Sequence, residues 1–168
     1  KGLSLNLIVE LEGKAKNTKS RANEPLIAVV QVPSNLSRMI EIPATREGNR
    51  YILLEDFISE HIDSLFPGMK VRKTACFRVT RDADIEYKEI EAEDLLKHIE
   101  SEIRERERGM AVRLEISDNA TKLHVEFLSQ VLNLTPQQIY SVDGPVAINE
   151  VAGFIMKIDG KDHLKETP

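Results

Sequence analysis

The run KVRKTACFRVTR, Lys70 to Arg81, alternates with a period of two, and its reading decides the fold. Val71, Ala75, Phe77 and Val79 share one face, while Lys70, Arg72, Thr74, Cys76, Arg78 and Thr80 share the other. That period belongs to a strand with one apolar face, and its length suits a long member of a sheet. The residues just before it have a different period. Leu54, Phe57, Ile58, His61, Ile62 and Leu65 fall at helical spacing, Glu55 and Asp56 lie in the first turn, and Pro67-Gly68 ends the element.

Further towards the N-terminus the pattern is again that of strands. Leu3 to Leu11 alternates at Leu3, Leu5, Leu7 and Val9, Leu26 to Val32 is a β-branched run stopped by Pro33, and Met39 to Ile42 is stopped by Pro43. Tyr51 to Leu54 follows the turn signal Gly48-Asn49. Between the first two strands, Gly13 to Glu24 carries Lys14, Lys16, Lys19 and Arg21 among small polar residues, which suits a solvated loop or an anion contact.

On the C-terminal side, Ala92 to Arg108 has the strongest helical pattern, with Leu95, Leu96, Ile99 and Ile103 as its buried stripe. Glu93 and Lys97, Glu100 and Arg104, and Glu102 and Arg106 are i,i+4 pairs in the favourable order, and Gly109 stops the helix. A strand is expected over Ala111 to Ile116, and a helix over Thr121 to Leu132 with a cap near Asp118 or Asn119. Thr135-Pro136 opens a further turn, and Ile139 to Val142 is a last short strand. Patterning weakens beyond Ile148, and Asp159 to Pro168 reads as a linker. Strands first, then alternating helices and strands, predict a single α+β domain: a mixed, largely antiparallel sheet with about three packing helices.

Composition narrows the function classes. At 168 residues and 19.0 kDa the chain suits one domain, and at that size roughly 70% of the unfolded surface can be buried without metals or disulfides. A net charge of −5 is the wrong sign for duplex binding dominated by phosphate contacts. One cysteine excludes an internal disulfide and a multi-cysteine zinc module. No apolar run approaches the ~18 residues of a membrane-crossing helix. The chain opens on Lys1-Gly2 and enters a strand pattern at once, as expected of a piece of a longer protein.

Catalytic signatures are sparse. The sequence has no Gly-rich phosphate loop, no nucleophile elbow and no His-Glu-x-x-His helix. His61 lies on an apolar stripe and reads as packed, whereas His98 and His124 lie beside their stripes and read as surface residues. His163-Leu-Lys165 has the spacing of a His-x-Lys phosphoryl-transfer pair but sits in the expected linker. Cys76 is either a small filler of the strand or a thiol sharpened by Arg72 and Arg78 on its face. The candidate binding residues are Arg72, Arg78, Arg81 and Arg113, whose forked guanidinium groups suit bidentate contact with phosphate oxygens. The competing reading pairs this face with the acidic stretch Glu89 to Glu107 or with another subunit's carboxylates.

Particular strings then carry a resemblance. LFPGM from Leu65, FRVTRDADIE from Phe77 to Glu86, EAEDLLKHIESEIRERERGMAVRLEI from Glu91 to Ile116 and IYSVDGPV from Ile139 to Val146 resemble the middle (head) domain of bacterial ATP-dependent polyphosphate kinase. SLNLIVEL near the start, VPSNLSRMIEIP from Val32 and YILLEDFI from Tyr51 extend the likeness over nearly the whole chain. FRVTRDAD together with VDGP is the specific combination.

The resemblance implies a middle domain over residues 1–150 and an exit linker over 151–168 towards C-terminal catalytic domains. It implies a parent enzyme that transfers the ATP γ-phosphate through a phosphohistidine to the end of a polyphosphate chain. The family carries that histidine, with its Arg, Lys and metal-binding companions, in the C-terminal domains, so no catalytic or cofactor-binding residue passes onto this chain. ATP and Mg2+ are expected of the parent, and no cofactor or metal of this chain. The implied partners are other domains of the same polypeptide and a second copy in an oligomer that is at least a dimer. Nucleic acid is not among them. The implied location is the bacterial cytoplasm, compatible with peripheral membrane association. The fragment is expected to be an inactive scaffold and dimerisation module; the alternative is an autonomous anion-binding module using the four arginines for polyphosphate or nucleotide.

Overall fold

The computed structural model describes residues 3–12, 25–43, 50–82 and 109–155. Among the described residues, seven strands form two sheets. In the larger one, β1 (Leu5–Glu12) lies between β2 (Leu26–Gln31) and β5 (Lys70–Arg81), followed by β6 (Ala111–Ser117) and β7 (Ile139–Val142), giving the order β2-β1-β5-β6-β7. All pairings in it are antiparallel except the parallel β6–β7 pair. The smaller sheet is the antiparallel pair β3 (Met39–Ile42) and β4 (Arg50–Leu53). β4 runs directly into α1 (Leu54–Glu60), which continues as a 3-10 turn over Ile62–Leu65. The α+β fold with a mixed, mostly antiparallel sheet is therefore as the periodicities indicate.

The register explains why β1 and β5 are central. Leu5, Leu7 and Val9 lie opposite Arg78, Cys76 and Thr74, while Ile8 lies opposite Ala75. Two apolar layers follow, one on each face of the sheet. Leu5, Leu7, Val9 and Leu11 pack with Leu54, Ile62, Val146 and Ala147 on the front. Ile8, Ala75, Phe77, Leu114 and Ile116 pack with Leu128 of α2 (Lys122–Leu132) and Leu134 on the back. β1 is buried on both sides, Ile8 and Val9 at 0% exposure, so its alternation does not mark a half-solvated strand. Burying a Leu or Ile side chain fully stabilises by about 1.5–3 kcal/mol, which makes these two layers the main driving force.

Two local features differ from the sequence-based expectation. α2 is capped by Thr121, in extended backbone with its hydroxyl facing the first turn, and not by Asp118 or Asn119. It ends at Asn133, whose φ of 53° is a left-handed cap. A third helix, α3 (Ile148–Ile155), stands where patterning weakens and overlaps residues 151–155, the start of the expected exit linker. Its short length hides it from periodicity. The helix expected over Ala92 to Arg108, the loop Gly13 to Glu24, the acidic stretch Glu89 to Glu107, His98, His163 and the linker Asp159 to Pro168 lie outside the described residues.

Candidate functional site

The front face of the sheet gathers the charge. On β5, Arg78 projects beside Leu5 and opposite Glu115 of β6. Its Nε donates to Glu115 Oε2 at 2.7 Å, and its Nη1 lies 3.5 Å from Glu150 Oε1 on α3. Arg113 Nη2 donates to the other Glu115 oxygen at 3.0 Å, and its guanidinium stacks over the Tyr140 ring at 4.0 Å. Glu115 is thus held between two arginines, one on each oxygen. Arg81 Nη1 donates to the Gly109 carbonyl at 3.0 Å. Arg72 lies six residues before Arg78, about 20 Å along the strand, and faces Glu10 and Glu12 at 3.8 and 3.4 Å. Of the four predicted anion contacts, the fold brings Arg78 and Arg113 together on Glu115 and leaves Arg72 towards the other end of the strand. The carboxylates that meet them come from β1, β6 and α3.

A residue not singled out as a candidate site by the sequence, though it lies in the string VPSNLSRMIEIP, organises this face. Arg38, just before β3, donates from Nε and Nη2 to Glu55 Oε1 at 2.9 and 2.5 Å, from Nη1 to the Ala147 carbonyl at 2.8 Å, and from Nη2 to the Val146 carbonyl at 2.5 Å. Its Nη1 also lies 3.8 Å from Glu150 Oε2. The side chains of Arg38 and Glu55 are only 12% and 3% exposed. A single carboxylate, Glu150, therefore spans Arg38 and Arg78, one oxygen to each. Glu55–Arg38–Glu150–Arg78–Glu115–Arg113 forms an alternating chain of charge that ties the β3–β4 hairpin, α1, α3 and the sheet together. The one sequence signal was an acid at the start of α1 and an arginine ahead of an apolar strand; their contact, 17 residues apart, has no periodic signature.

Beside this chain a cleft of about 330 Å³ opens at the C-terminal end of β6, lined by Glu55, Asp56, Ser59, Thr74, Cys76, Ser117 and Asp118 among others. Ser59 and Thr74 hydroxyls are 2.6 Å apart, and Ser117 Oγ accepts the Cys76 backbone N–H at 3.1 Å while donating to Asn119 at 2.7 Å. Burial, then the Glu55 charge, pushes the Cys76 thiol up to about 12, the opposite of activation. Burial and Glu55 likewise raise Asp56 above the usual carboxylate range.

The two described histidines exchange the places expected of them. His61 is exposed at the C-terminal end of α1, with its ring tilted against Phe57 at 4.6 Å and Nδ1 2.9 Å from the Phe57 carbonyl. His124 is fully buried at 0% exposure. It packs behind the sheet near Glu10, on the face opposite Cys76. Neither described histidine therefore lines the cleft of the thiol, and among the described residues no group of three or more His, Cys, Asp or Glu is placed to hold a metal ion. No described helix is long and apolar enough to cross a membrane.

Comparison with known proteins agrees with this architecture. The family model described as polyphosphate kinase middle domain matches residues 1–154. A polyphosphate kinase from an Exiguobacterium species is 39% identical over 98% of this chain and 22% of its own length. That from Halalkalibacterium halodurans is 40% identical over 92% of this chain and 21% of its own length. The crystal structure of polyphosphate kinase from Porphyromonas gingivalis shares the fold with a TM-score of 0.68 at 21% identity, covering 100% of this chain and 22% of that one. The chain thus spans about a fifth of the length of the relatives it matches. It belongs to the polyphosphate kinase family, as its middle domain.

Proposed function

We propose that this chain is the framework domain of a bacterial, cytoplasmic polyphosphate kinase and performs no phosphoryl transfer itself. The observation that carries the reading is the alternating chain of charge across the front face. Arg38, Arg78 and Arg113 each face a carboxylate, which leaves them organising the domain and not a substrate. The described histidines and Cys76 also lack the nucleophile-and-base geometry that covalent catalysis needs.

In the parent enzyme the γ-phosphoryl group of ATP, with Mg2+, passes to a histidine outside this chain and then to the polyphosphate end. Such transfer depends mainly on positioning and charge neutralisation. A rigid module that sets neighbouring domains and a second subunit in register acts on rate through geometry, where small misplacements are costly. Incubating the purified chain with ATP and Mg2+ tests this: no polyphosphate should form, and synthesis above a protein-free blank would overturn it. Titration with polyphosphate at several salt concentrations tests the anion-binding alternative. Binding that weakens steeply with salt and is lost in Arg78→Glu would move the arginine face from framework to ligand contact.

A further inference from the structure

The first turn of α2 is closed reciprocally. Thr121 Oγ1 accepts the backbone N–H of His124 at 3.2 Å, and His124 Nδ1 accepts the backbone N–H of Thr121 at 3.4 Å. Glu or Gln ordinarily fills the second role. An imidazole differs because its acceptor is a lone pair that a proton can occupy in the physiological range. Since Nδ1 accepts, the neutral ring carries its hydrogen on Nε2. Nε2 is buried without a hydrogen-bond partner, and Glu10 Oε2 lies 3.9 Å from it, just beyond hydrogen-bonding reach.

We propose that His124 is a proton-operated catch on α2: neutral, it caps the helix, and protonated at Nδ1 it releases the Thr121 N–H and closes on Glu10. The proton comes from solvent and occupies the lone pair that held the cap. Two N–H groups then face each other across the first turn, while the imidazolium gains an anionic partner within about 1 Å of a charge-assisted contact.

The surroundings fix the direction. Glu10 on β1 is the facing anion, itself 3.8 Å from Arg72, and Lys73 lies beside it on β5. On α2, Lys122 and Glu126 pair with each other at the exposed surface. β6 turns apolar Leu114 and Ile116 to this layer, and β2 places Ile27 opposite Glu10. Burial holds His124 below the usual histidine range; Glu10 opposes this and Lys73 adds to it. The stability due to the neutral ring is complete above the ordinary histidine value of about 6.5 and is lost as pH falls from there towards the lowered folded-state value.

Nitrogen-15 NMR and amide exchange on the 168-residue chain test the catch. At neutral pH the His124 ring should show the Nε2–H tautomer. Protection factors at Val125 and the neighbouring first-turn amides, corrected for intrinsic exchange, should drop about fivefold on acidification through the titration, the loss of one cap interaction. His124→Gln should keep the reciprocal cap and abolish the drop, and Glu10→Gln should move the midpoint to lower pH. An Nδ1–H tautomer at neutral pH, or an unchanged drop in His124→Gln, would overturn the proposal. Should His124→Gln fail to fold, Glu10→Gln decides: an unmoved midpoint also overturns it.

Discussion

Removing the guanidinium of Arg38 is the most informative perturbation of this fold. In Arg38→Met the apolar stem is kept, while Glu55 loses both hydrogen bonds to Oε1 and the carbonyls of Val146 and Ala147 lose their donors. Glu55 Oε2 already has no hydrogen-bond partner, so its carboxylate would be buried at 3% exposure with nothing opposite it. Breaking one side of a buried ion pair costs about 3–5 kcal/mol, and each orphaned carbonyl about 1–3 kcal/mol unless water reaches it. Against a typical domain stability of about 5–15 kcal/mol, the single variant should lose a large fraction of its stability. Arg38→Met with Glu55→Leu removes the stranded charge and should recover most of the loss, leaving the carbonyl share of about 1–3 kcal/mol. Urea unfolding followed by circular dichroism at neutral pH measures all four corners of the cycle. A loss below about 1 kcal/mol in Arg38→Met, or a double variant less stable than the single, would refute the assignment of Arg38 as the clamp.

Three other outcomes follow from the same geometry. Cys76, its thiol pushed up to about 12, should react with a disulfide reagent far more slowly at neutral pH than an ordinary exposed cysteine, because little thiolate forms, so labelling within seconds in native buffer would contradict that shift. Leu114→Ala should cost about 2–5 kcal/mol in the same unfolding assay, whereas Val131→Ala, at a position 65% exposed, should stay within about 0.5 kcal/mol. Hydrogen bonds from Arg72 and then Lys70 hold the exposed Glu12 carboxyl below its ordinary 4.5. The stability this adds is therefore present above that value and fades as pH falls through the lowered one. An NMR titration should show the Glu12 midpoint rising in high salt and in Arg72→Gln; a midpoint unmoved by either would remove the pairing.

The strands were legible because period two survives in any sheet, although Lys70 to Arg81 keeps its alternation only in its middle: register shifts near Arg72 and at Arg81 interrupt it, and Val71 packs on the front face, not with Ala75 and Phe77 as its spacing suggests. Its polar face misled for a physical reason. Thr74, Cys76 and Arg78 look solvent-facing by composition, yet α1 and Val146-Ala147 cover that side, and Glu115 opposite Arg78 makes the burial tolerable. The histidines exchanged places for a related reason. A stripe shows which residues share a side of a helix, not where the helix ends, and His61 falls at the end of α1, where the apolar stripe leaves the core. His124 goes under the sheet because Thr121, not Asp118 or Asn119, sets the start of α2. Arg38 and Glu150 were invisible as a pair, since nothing local links residues whose contact is created by the tertiary fold.

The placement of β1 has a consequence for how the chain can be cut and how it assembles. The first described strand in sequence is an interior strand in space, with β2 near in the chain on one side and β5 far along it on the other. Synthesis from the N-terminus can zip β1 to β2 early, but that hairpin leaves the other edge of β1 unpaired until Lys70–Arg81 arrives. The nascent domain thus carries an open, sticky edge through the whole interval in which β3, β4 and α1 are made. Trimming the first strand would not shorten the sheet from its rim; it would remove the slat that joins β2 to the other three strands.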